Sequence, residues 1–225
     1  MIQKHNSAPP TRSDYIVDIR QGVLSFCRLL QGPPGLMPAV FLDRDGVVNR
    51  HIPGEYVTRW AEFKILPGVP TALQRLRRAG FRLLIVSNQA AVPKGFLKRD
   101  ELIRITDISL RKFRDAGADV DGAFFCIHHP NEDCSCRKPK PGLLRVAANC
   151  FPTDFSKSFL IGDSIGDILA GAGMACRTIY LAAKPDASVP ATHQARSLSE
   201  AVRWIISNQT PDSDEPRYKR STRSQ

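Results

Sequence analysis

The sequence lacks any apolar run close to the roughly 20 residues that a membrane-spanning helix requires. It also lacks an apolar segment behind a basic amino-terminal start, which is the pattern of a secretory signal. Without such a signal, its six cysteines do not indicate a disulfide framework in a chain of 225 residues. We therefore expect a cytoplasmic protein without a membrane partner, built as one ordinary domain with tails.

The chain is basic, with a formal net charge of +10. This excess fits either a solvated surface or attraction to an anionic partner, which could be a phosphorylated metabolite or a nucleic acid. The charge is scattered, and the basic terminal stretch has a single aromatic residue, Tyr218, whereas single-stranded nucleic acid needs interleaved aromatics. A nucleic-acid-binding module is thus the alternative from another class, and a nucleic-acid partner is not expected. The two basic clusters comprise Arg75, Arg77, Arg78, Arg82, Arg217, Lys219, Arg220 and Arg223.

Composition divides the chain into three parts. Residues 1–37 form an accessory amino-terminal arm in which an amphipathic stretch, Tyr15 to Leu30, predicts a single helix before the breaker Gly32-Pro33-Pro34-Gly35. Residues 38–208 form the main domain. Residues 209–225 are polar and charged, which predicts a disordered basic tail.

Short apolar runs alternate with helical patterns through the main domain. Strands are predicted at 39–43, 81–86, 122–126, 159–162 and 178–181, and helices at 69–80, 99–116, 142–149 and 198–207. This alternation predicts an α/β fold, a Rossmann-like parallel sheet with helices on both faces. Ligands bind beyond the carboxyl ends of such strands, where Asp43, Ser87, Cys126 and Asp163 are expected to lie.

Two acidic loops follow predicted strands. The first holds Asp43 and Asp45, and the second holds Asp163 and Asp167. Turn chemistry explains one such loop by itself. Two loops at the same sheet edge instead indicate a shared cation, because close carboxylates repel one another and Mg²⁺ prefers oxygen ligands. Aspartate can also attack phosphorus and form an aspartyl phosphate.

Phosphoryl transfer further requires positive charge and hydrogen-bond donors around the transferred group. The sequence offers Ser87, Asn88 and Gln89 after the second predicted strand, and Lys138 beyond the third. The main domain therefore contains, in four separate segments, each kind of group that a phosphoryl-transfer site needs.

These four segments, over about residues 38–183, resemble the four motifs of haloacid-dehalogenase-type phosphatases in the family's order. The resemblance implies that Asp43 is the nucleophile and Asp45 the general acid and base. It implies that Ser87 and Lys138 bind the phosphoryl group. It also implies that Mg²⁺ is held by Asp43, the backbone carbonyl of Asp45 and Asp163, with Asp167 in support.

A second ligand pattern lies between Cys126 and Cys136. Cys126, His128, Cys134 and Cys136 offer three thiolates and one imidazole, which is the closed tetrahedral set of a structural Zn²⁺ site. His128 fits the spacing better than His129. Such a zinc ion would hold in place a loop too polar to pack by itself. The other cysteines, Cys27, Cys150 and Cys176, are interpreted as apolar fillers.

With this loop, the chain resembles the D-glycero-D-manno-heptose 1,7-bisphosphate phosphatases and the related histidinol-phosphatases, which have no large cap domain. The resemblance implies a small phosphorylated sugar as substrate, with the 7-phosphate of the heptose bisphosphate removed, and a monomer. It implies substrate contacts from Arg137, from the stretch Asn49 to Tyr56, and from Asn88 and Gln89. Lys94 stands where the family often has arginine, which weakens a phosphate contact.

Two alternatives stay open within phosphatase chemistry. Histidinol phosphate, or another small sugar phosphate, would use the same catalytic residues. A polynucleotide end phosphatase shares the Asp-x-Asp start, but the zinc loop and the absence of a basic stripe argue against it.

Overall fold

The computed structural model describes residues 15–28 and 35–209. These residues form one sheet of eight strands in the order β1-β2-β5-β4-β3-β6-β7-β8. The strands are β1 (Tyr15–Arg20), β2 (Val23–Arg28), β3 (Ala39–Leu42), β4 (Arg82–Asn88), β5 (Gly122–Cys126), β6 (Phe159–Gly162), β7 (Arg177–Leu181) and β8 (His193–Ala195). The helices are α1 (Val69–Arg78), α2 (Arg99–Asp115), α3 (Gly142–Cys150), α4 (Ile165–Ala172) and α5 (Leu198–Ser207).

The central strands are buried and mostly apolar because helices cover both faces of the sheet. In β3, Val40 and Leu42 belong to one apolar cluster, while Ala39 and Phe41 belong to the other. The first cluster contains buried residues of α1, α2 and α5. The second contains buried residues of α3 and α4. The prediction of an α/β fold with helices on both faces is confirmed.

Strands β3 to β8 pair in parallel, so their carboxyl ends meet at one edge of the sheet. The five predicted strands all occur, and β5 and β6 have the predicted bounds. The four predicted helices also occur, within one or two residues at their ends. Helix α4 and the short strand β8 were not predicted. Among the described residues, no helix is long and apolar enough to cross a membrane.

The predicted helix from Tyr15 to Leu30 is wrong. Residues 15–28 form an antiparallel hairpin instead, with its turn at Gln21 and Gly22. Both turn residues have positive φ, 46° and 68°, which is the backbone of a tight hairpin turn. Strand β2 pairs antiparallel with β5, so the sheet is mixed rather than wholly parallel. Sheet pairing outweighed the helical periodicity because β2 buries Val23, Leu24 and Phe26 against the core.

The proposed tail, residues 209–225, lies outside the described residues except for Gln209. That side chain donates a hydrogen bond to Ala79 O at 3.0 Å, just beyond α1. The boundaries of the arm, main domain and tail stay predictions.

Candidate active site

The acidic loops after β3 and β6 lie side by side because these strands are direct neighbours. Asp43 N donates to Ile161 O at 2.9 Å, and this hydrogen bond connects the first acidic loop to β6. Carboxylate oxygens of Asp43, Asp163 and Asp167 lie within 4.8 Å of one another. The structure therefore brings together the two acidic loops that the sequence placed at one sheet edge.

A close backbone approach keeps these loops together. Gly46 has a φ of 91°, and a Cβ atom added there would lie 1.9 Å from Asp163 Oδ2. No side chain fits into that space, and the positive φ itself favours glycine. The glycine after the first acidic pair thus lets Asp163 reach the loop of Asp43 and Asp45.

Lys138 is the cation that the structure places among these carboxylates. Its buried Nζ lies 2.6 Å from Asp43 Oδ1 and 2.5 Å from Asp167 Oδ1, and it donates to Val86 O at 2.7 Å. Burial works against its charge, but the carboxylates of Asp43 and Asp167 outweigh burial and raise the pKa of the ammonium. Lys138 is therefore charged at neutral pH.

Asn88 fixes the backbone of Lys138 on both sides of its Cα. Asn88 Nδ2 donates to Lys138 O at 3.0 Å, and Asn88 Oδ1 accepts from Lys138 N at 3.1 Å. Asn88 lies at the end of β4. Its two hydrogen bonds connect this strand to the segment after the cysteine loop, so the position of the lysine depends on the sheet.

One lysine does not neutralise three carboxylates. Burial, followed by the charges of Asp167 and Asp45, raises the pKa of Asp43 to about 7, although Lys138 opposes this. Burial and Asp167 also raise the pKa of Asp163. The oxygen-rich donor set, with its excess negative charge, fits Mg²⁺. Burial is the largest cause of both raised pKa values, and a bound divalent cation would offset it together with the repulsion between the carboxylates.

The Asp45 carboxylate lies outside this group of three. Arg44 Nη2 donates to Oδ1 at 3.0 Å and to Oδ2 at 2.8 Å, while Asn49 Nδ2 donates to Oδ1 at 2.9 Å and Gln89 Nε2 to Oδ2 at 3.0 Å. Burial opposes the charge on Asp45, but Arg44 and then the two amides outweigh it and lower the pKa. Asp45 is thus held as an anion in a defined orientation.

Asp167 is placed by the start of α4. Ser164 is the N-cap, and its hydroxyl and backbone N–H both contact Asp167 Oδ2, at 2.6 and 3.2 Å. This reciprocal capping arrangement satisfies the first N–H groups of the helix. The capping pattern was visible in the sequence as Ser164 followed three residues later by Asp167, but α4 was not predicted from it.

A cavity of about 350 Å³ opens onto this group. Of the predicted site residues, Asn49 and Arg137 do not line it. Asn49 is completely buried against Asp45, and Arg137 donates to His128 O at 3.3 Å. The predicted residues that line the cavity are Asp43, Asp45, Ser87, Asn88, Gln89, Lys138, Asp163 and Asp167, together with His51, Ile52, Gly54, Glu55 and Tyr56 of the predicted loop.

Three lining residues were not singled out by the sequence: Arg44, Val57 and Ser164. Arg44 stands between the two acidic residues of the first loop, and that position is the only signal that pointed to it. His51 lies with its Nδ1 3.6 Å from Asp163 Oδ2. Ser87 is buried and accepts from Gln89 Nε2 at 3.2 Å.

Lys94 contacts Tyr56, one of the residues lining the cavity. Lys94 Nζ donates to the Tyr56 hydroxyl at 3.0 Å and lies 5.6 Å from the centre of its ring. Phe96 stacks on the same ring with centroids 5.7 Å apart, and its side chain is exposed. These contacts join the loop after Asn49 to the loop after Gln89 beside the cavity.

The four predicted zinc ligands come together around one point. The three Sγ–Sγ distances are 3.3 Å (Cys126–Cys136), 3.7 Å (Cys134–Cys136) and 3.8 Å (Cys126–Cys134). A tetrahedral zinc ion with sulfurs about 2.3 Å away implies sulfur separations of about 3.8 Å. His128 Nδ1 lies 3.6 Å from Cys126 Sγ and 3.2 Å from Cys136 Sγ. The donor set and its spacing fit zinc.

The other residues of this loop have different contacts. His129 is outside the cluster, and its Nδ1 accepts from Asn131 N at 3.2 Å. Within the cluster, the hydrogen bond from Cys136, aided by His128 and opposed by burial, lowers the pKa of Cys126. The same hydrogen bond, together with burial, raises the pKa of Cys136. The cluster thus stabilises a thiolate, which is the form that binds metal.

Known proteins resemble this chain over most of its length. The model of a family described as haloacid dehalogenase-like hydrolase matches residues 2–174. A D-glycero-beta-D-manno-heptose-1,7-bisphosphate 7-phosphatase from Yersinia pestis is 34% identical over 194 residues, which are 81% of this chain and 98% of that protein. The protein of the same description from Pasteurella multocida is 37% identical over 149 residues, 64% of this chain and 80% of its own.

A solved structure shows the same fold. The crystal structure of D,D-heptose 1,7-bisphosphate phosphatase from B. bronchiseptica, complexed with magnesium and phosphate, is similar with a TM-score of 0.68 and 28% sequence identity. The similarity covers 76% of this chain and 99% of that chain. That protein was therefore observed with the metal that the acidic loops described above would fit.

Proposed function

We propose, because this chain belongs to the haloacid dehalogenase-like hydrolase family, that it is a Mg²⁺-dependent phosphatase acting on a small phosphorylated sugar. The observation that carries the proposal is the constellation at the cavity: three carboxylates, one buried lysine, and a fourth carboxylate held separately by Arg44. This arrangement separates a nucleophile from an acid and base, as phosphate ester hydrolysis through a covalent intermediate requires.

We further propose that the substrate is D-glycero-D-manno-heptose 1,7-bisphosphate and that the 7-phosphate is removed. Support comes from the relatives that carry this activity in their descriptions, one of them similar over 98% of its length. A histidinol phosphate or another small sugar phosphate is the alternative, since it would use the same catalytic groups. A monomer and a cytoplasmic location stay predictions.

In the first half of the reaction, a carboxylate oxygen of Asp43 attacks phosphorus and the bond to the sugar oxygen breaks. Lys138 bonds Oδ1 of Asp43 at 2.6 Å, so it orients this carboxylate and offsets negative charge beside it. Asp45 enters this half protonated, in contrast to the anion of the free protein, and gives that proton to the leaving sugar oxygen. The products of this half are the free alcohol and an aspartyl phosphate on Asp43.

In the second half, Asp45 takes a proton from a water molecule whose oxygen attacks phosphorus. The bond to Asp43 breaks, inorganic phosphate leaves, and both aspartates return to their starting forms. The donors that surround Asp45 lower its pKa, so the carboxylate is left deprotonated after the first half and can accept the proton of the water. Arg44, Asn49 and Gln89 keep its carboxylate on the cavity side of the loop.

The remaining polar groups would bind and orient the phosphoryl group. Ser87 and Asn88 line the cavity at the end of β4, and Lys138 enters it from the segment after the cysteine loop. Donors of Ser87 and Asn88 would contact the oxygens that gain charge in the transition state. Lys138 would act on them through its charge, because its three N–H groups already have acceptors. Arg137, which precedes Lys138, is the proposed contact for the rest of the substrate.

Two metals complete the proposal. Asp43, the Asp45 carbonyl and Asp163 would hold Mg²⁺, with Asp167 in support. Bound there, this ion would neutralise charge on the nucleophile and on the phosphoryl oxygens. Cys126, His128, Cys134 and Cys136 would hold a structural Zn²⁺, which leaves no open position for chemistry.

The test is phosphate release from a panel of heptose 1,7-bisphosphate, histidinol phosphate, other sugar phosphates and a 3′-phosphorylated oligonucleotide, with and without Mg²⁺. We expect Mg²⁺-dependent release, fastest from the heptose compound. Preference for histidinol phosphate would replace the substrate and keep the catalytic assignment. No release from any compound would contradict the proposed phosphatase activity on these substrates.

A further inference from the structure

The turn of the amino-terminal hairpin lies against the cysteine loop. Its turn residue Gly22 lies against the imidazole of His128, and a Cβ atom added to Gly22 would lie 2.3 Å from both Cε1 and Nε2 of that ring. Real Cβ atoms essentially never come within 3.0 Å of another heavy atom. Together with its φ of 68°, this contact makes glycine the residue that the position accepts.

The turn contacts the side of the ring that faces away from the cysteines. Nδ1 of His128 points to the sulfurs, 3.2 Å from Cys136 Sγ and 3.6 Å from Cys126 Sγ. The Cε1–Nε2 side meets the Gly22 backbone. The imidazole is therefore enclosed between three thiols on one side and main chain on the other.

The position of the turn is fixed from the same strand that supplies the first ligand. Val23, directly after the turn, is paired with Cys126 in the sheet, and Ile127 N donates to Gly22 O at 3.0 Å. The turn is thus hydrogen-bonded to Ile127, directly before His128, and the residue after the turn pairs with Cys126. Main chain therefore occupies the space on this side of the imidazole for as long as β2 stays paired with β5.

We propose that the hairpin turn at Gln21 and Gly22 is a backstop that holds His128 Nδ1 towards the three cysteine sulfurs, which makes Gly22 a positioning residue for the metal. The proposal rests on the zinc site of the proposed function and gives the amino-terminal hairpin a role. Metal-binding imidazoles depend on the groups behind them for their orientation, and losing such a group typically lowers metal affinity by about 10- to 100-fold.

The test compares Gly22→Ala with Gly80→Ala in the full chain. Gly80 also has a positive φ, 86°, but nothing lies within 4 Å of an added Cβ, so its substitution carries backbone strain without a clash. The measurements are zinc stoichiometry, the rate of zinc transfer to a chromophoric chelator, and the visible absorption of the Co²⁺-substituted proteins.

We expect Gly22→Ala to transfer zinc at least about tenfold faster than the wild type and to change the Co²⁺ spectrum, because the imidazole must shift. Gly80→Ala should keep the wild-type rate within about twofold and the wild-type spectrum. Equal rates for both variants would overturn the proposal. If the wild-type protein contains no zinc, the zinc site itself fails, and the backstop fails with it.

Should Gly22→Ala fail to fold, the double variant Gly22→Ala, His128→Cys decides. Cysteine removes the ring that the alanine would strike and supplies a fourth thiolate, which zinc also accepts. Recovery of a folded, zinc-containing protein would support a clash with the imidazole as the cause. Failure of the double variant as well would overturn it.

Discussion

Two clusters of side chains that could hold a metal ion occur within residues 15–28 and 35–209, and they are built in opposite ways. The acidic cluster draws Asp43, Asp163 and Asp167 from segments more than a hundred residues apart in the chain, and a cavity of about 350 Å³ opens onto it. The cysteine cluster takes its four ligands from one loop, and its thiols contact one another directly.

The difference corresponds to two kinds of function: an open site can bind a substrate, whereas a closed site can stabilise the structure. A site that must receive a substrate keeps an open side, and its excess negative charge is balanced only when a cation binds. A closed set of three thiolates and one imidazole is complete when the metal arrives, so it stabilises a loop. Here that loop leads straight into Arg137 and Lys138, so a metal held by the cysteine cluster would fix the segment that carries Lys138.

The largest expected effect is a loss of turnover that leaves the cysteine cluster unchanged. Asp43→Asn removes the proposed nucleophile, and we expect kcat to fall by about 10⁴-fold or more. Zinc content and thermal stability should stay near the wild type, because the cysteine loop is untouched. Asp115→Asn, at the exposed end of α2, is the control and should keep full activity. Near-wild-type turnover in Asp43→Asn would remove its assignment as nucleophile.

Removal of the divalent cation should lower activity through the acidic cluster and leave the cysteine cluster unchanged. Brief treatment with a chelator is expected to lower activity by about 10³-fold, and Mg²⁺ alone should restore it. Zinc, closed in by three thiolates, should remain bound over the same period. Activity and zinc content are measured on the same samples, and full activity in the chelated sample would argue against a catalytic metal.

Lys138→Met tests the one fixed cation of the acidic cluster. Without its ammonium, Asp43 and Asp167 lose a buried ion-pair partner, and we expect kcat to fall by about 10²- to 10³-fold. Stability should also fall, because breaking a buried ion pair leaves uncompensated charge. Lys140→Met is the control, since Lys140 is exposed and pairs with Asp133. Unchanged kcat in Lys138→Met would exclude a role in catalysis.

Cys134→Ser tests the cysteine cluster, and here we expect the zinc content to change more than the activity. Loss of one thiolate should remove most of the zinc and lower Tm by about 5–10 °C, with a smaller loss of activity. Cys150→Ser, an exposed thiol outside the cluster, should leave the zinc content unchanged. If Cys134→Ser retains one zinc per chain, Cys134 does not belong to the ligand set.

The smallest expected effect concerns a buried amide. Asn49→Ala removes one of the hydrogen bonds that orient Asp45, and we expect kcat to fall by about tenfold with KM nearly unchanged. A rise in KM without a fall in kcat would instead support the original prediction that Asn49 binds the substrate. Asn131→Ala, an exposed substitution in the cysteine loop, serves as control.

Prediction from the sequence succeeded where local chemistry and position along a strand coincide. Asp43 and Asp163 follow apolar strands, and parallel pairing of β3 with β6 brings them together as expected. It failed for Tyr15 to Leu30, where helical periodicity was present but β2 pairs with β5. It missed α4, because this helix has only eight residues and two of them, Gly166 and Gly171, are weak helix formers.

The sequence by itself determined the α/β alternation, the two acidic loops and the cysteine ligand pattern, because each depends on residues close together along the chain. Only the tertiary structure decided that Asn49 is buried behind Asp45, that Arg44 holds the same carboxylate, and that Gly22 lies behind His128. These contacts depend on how separate strands align in the sheet. That alignment is set by packing across the whole core, and no single segment of the sequence contains it.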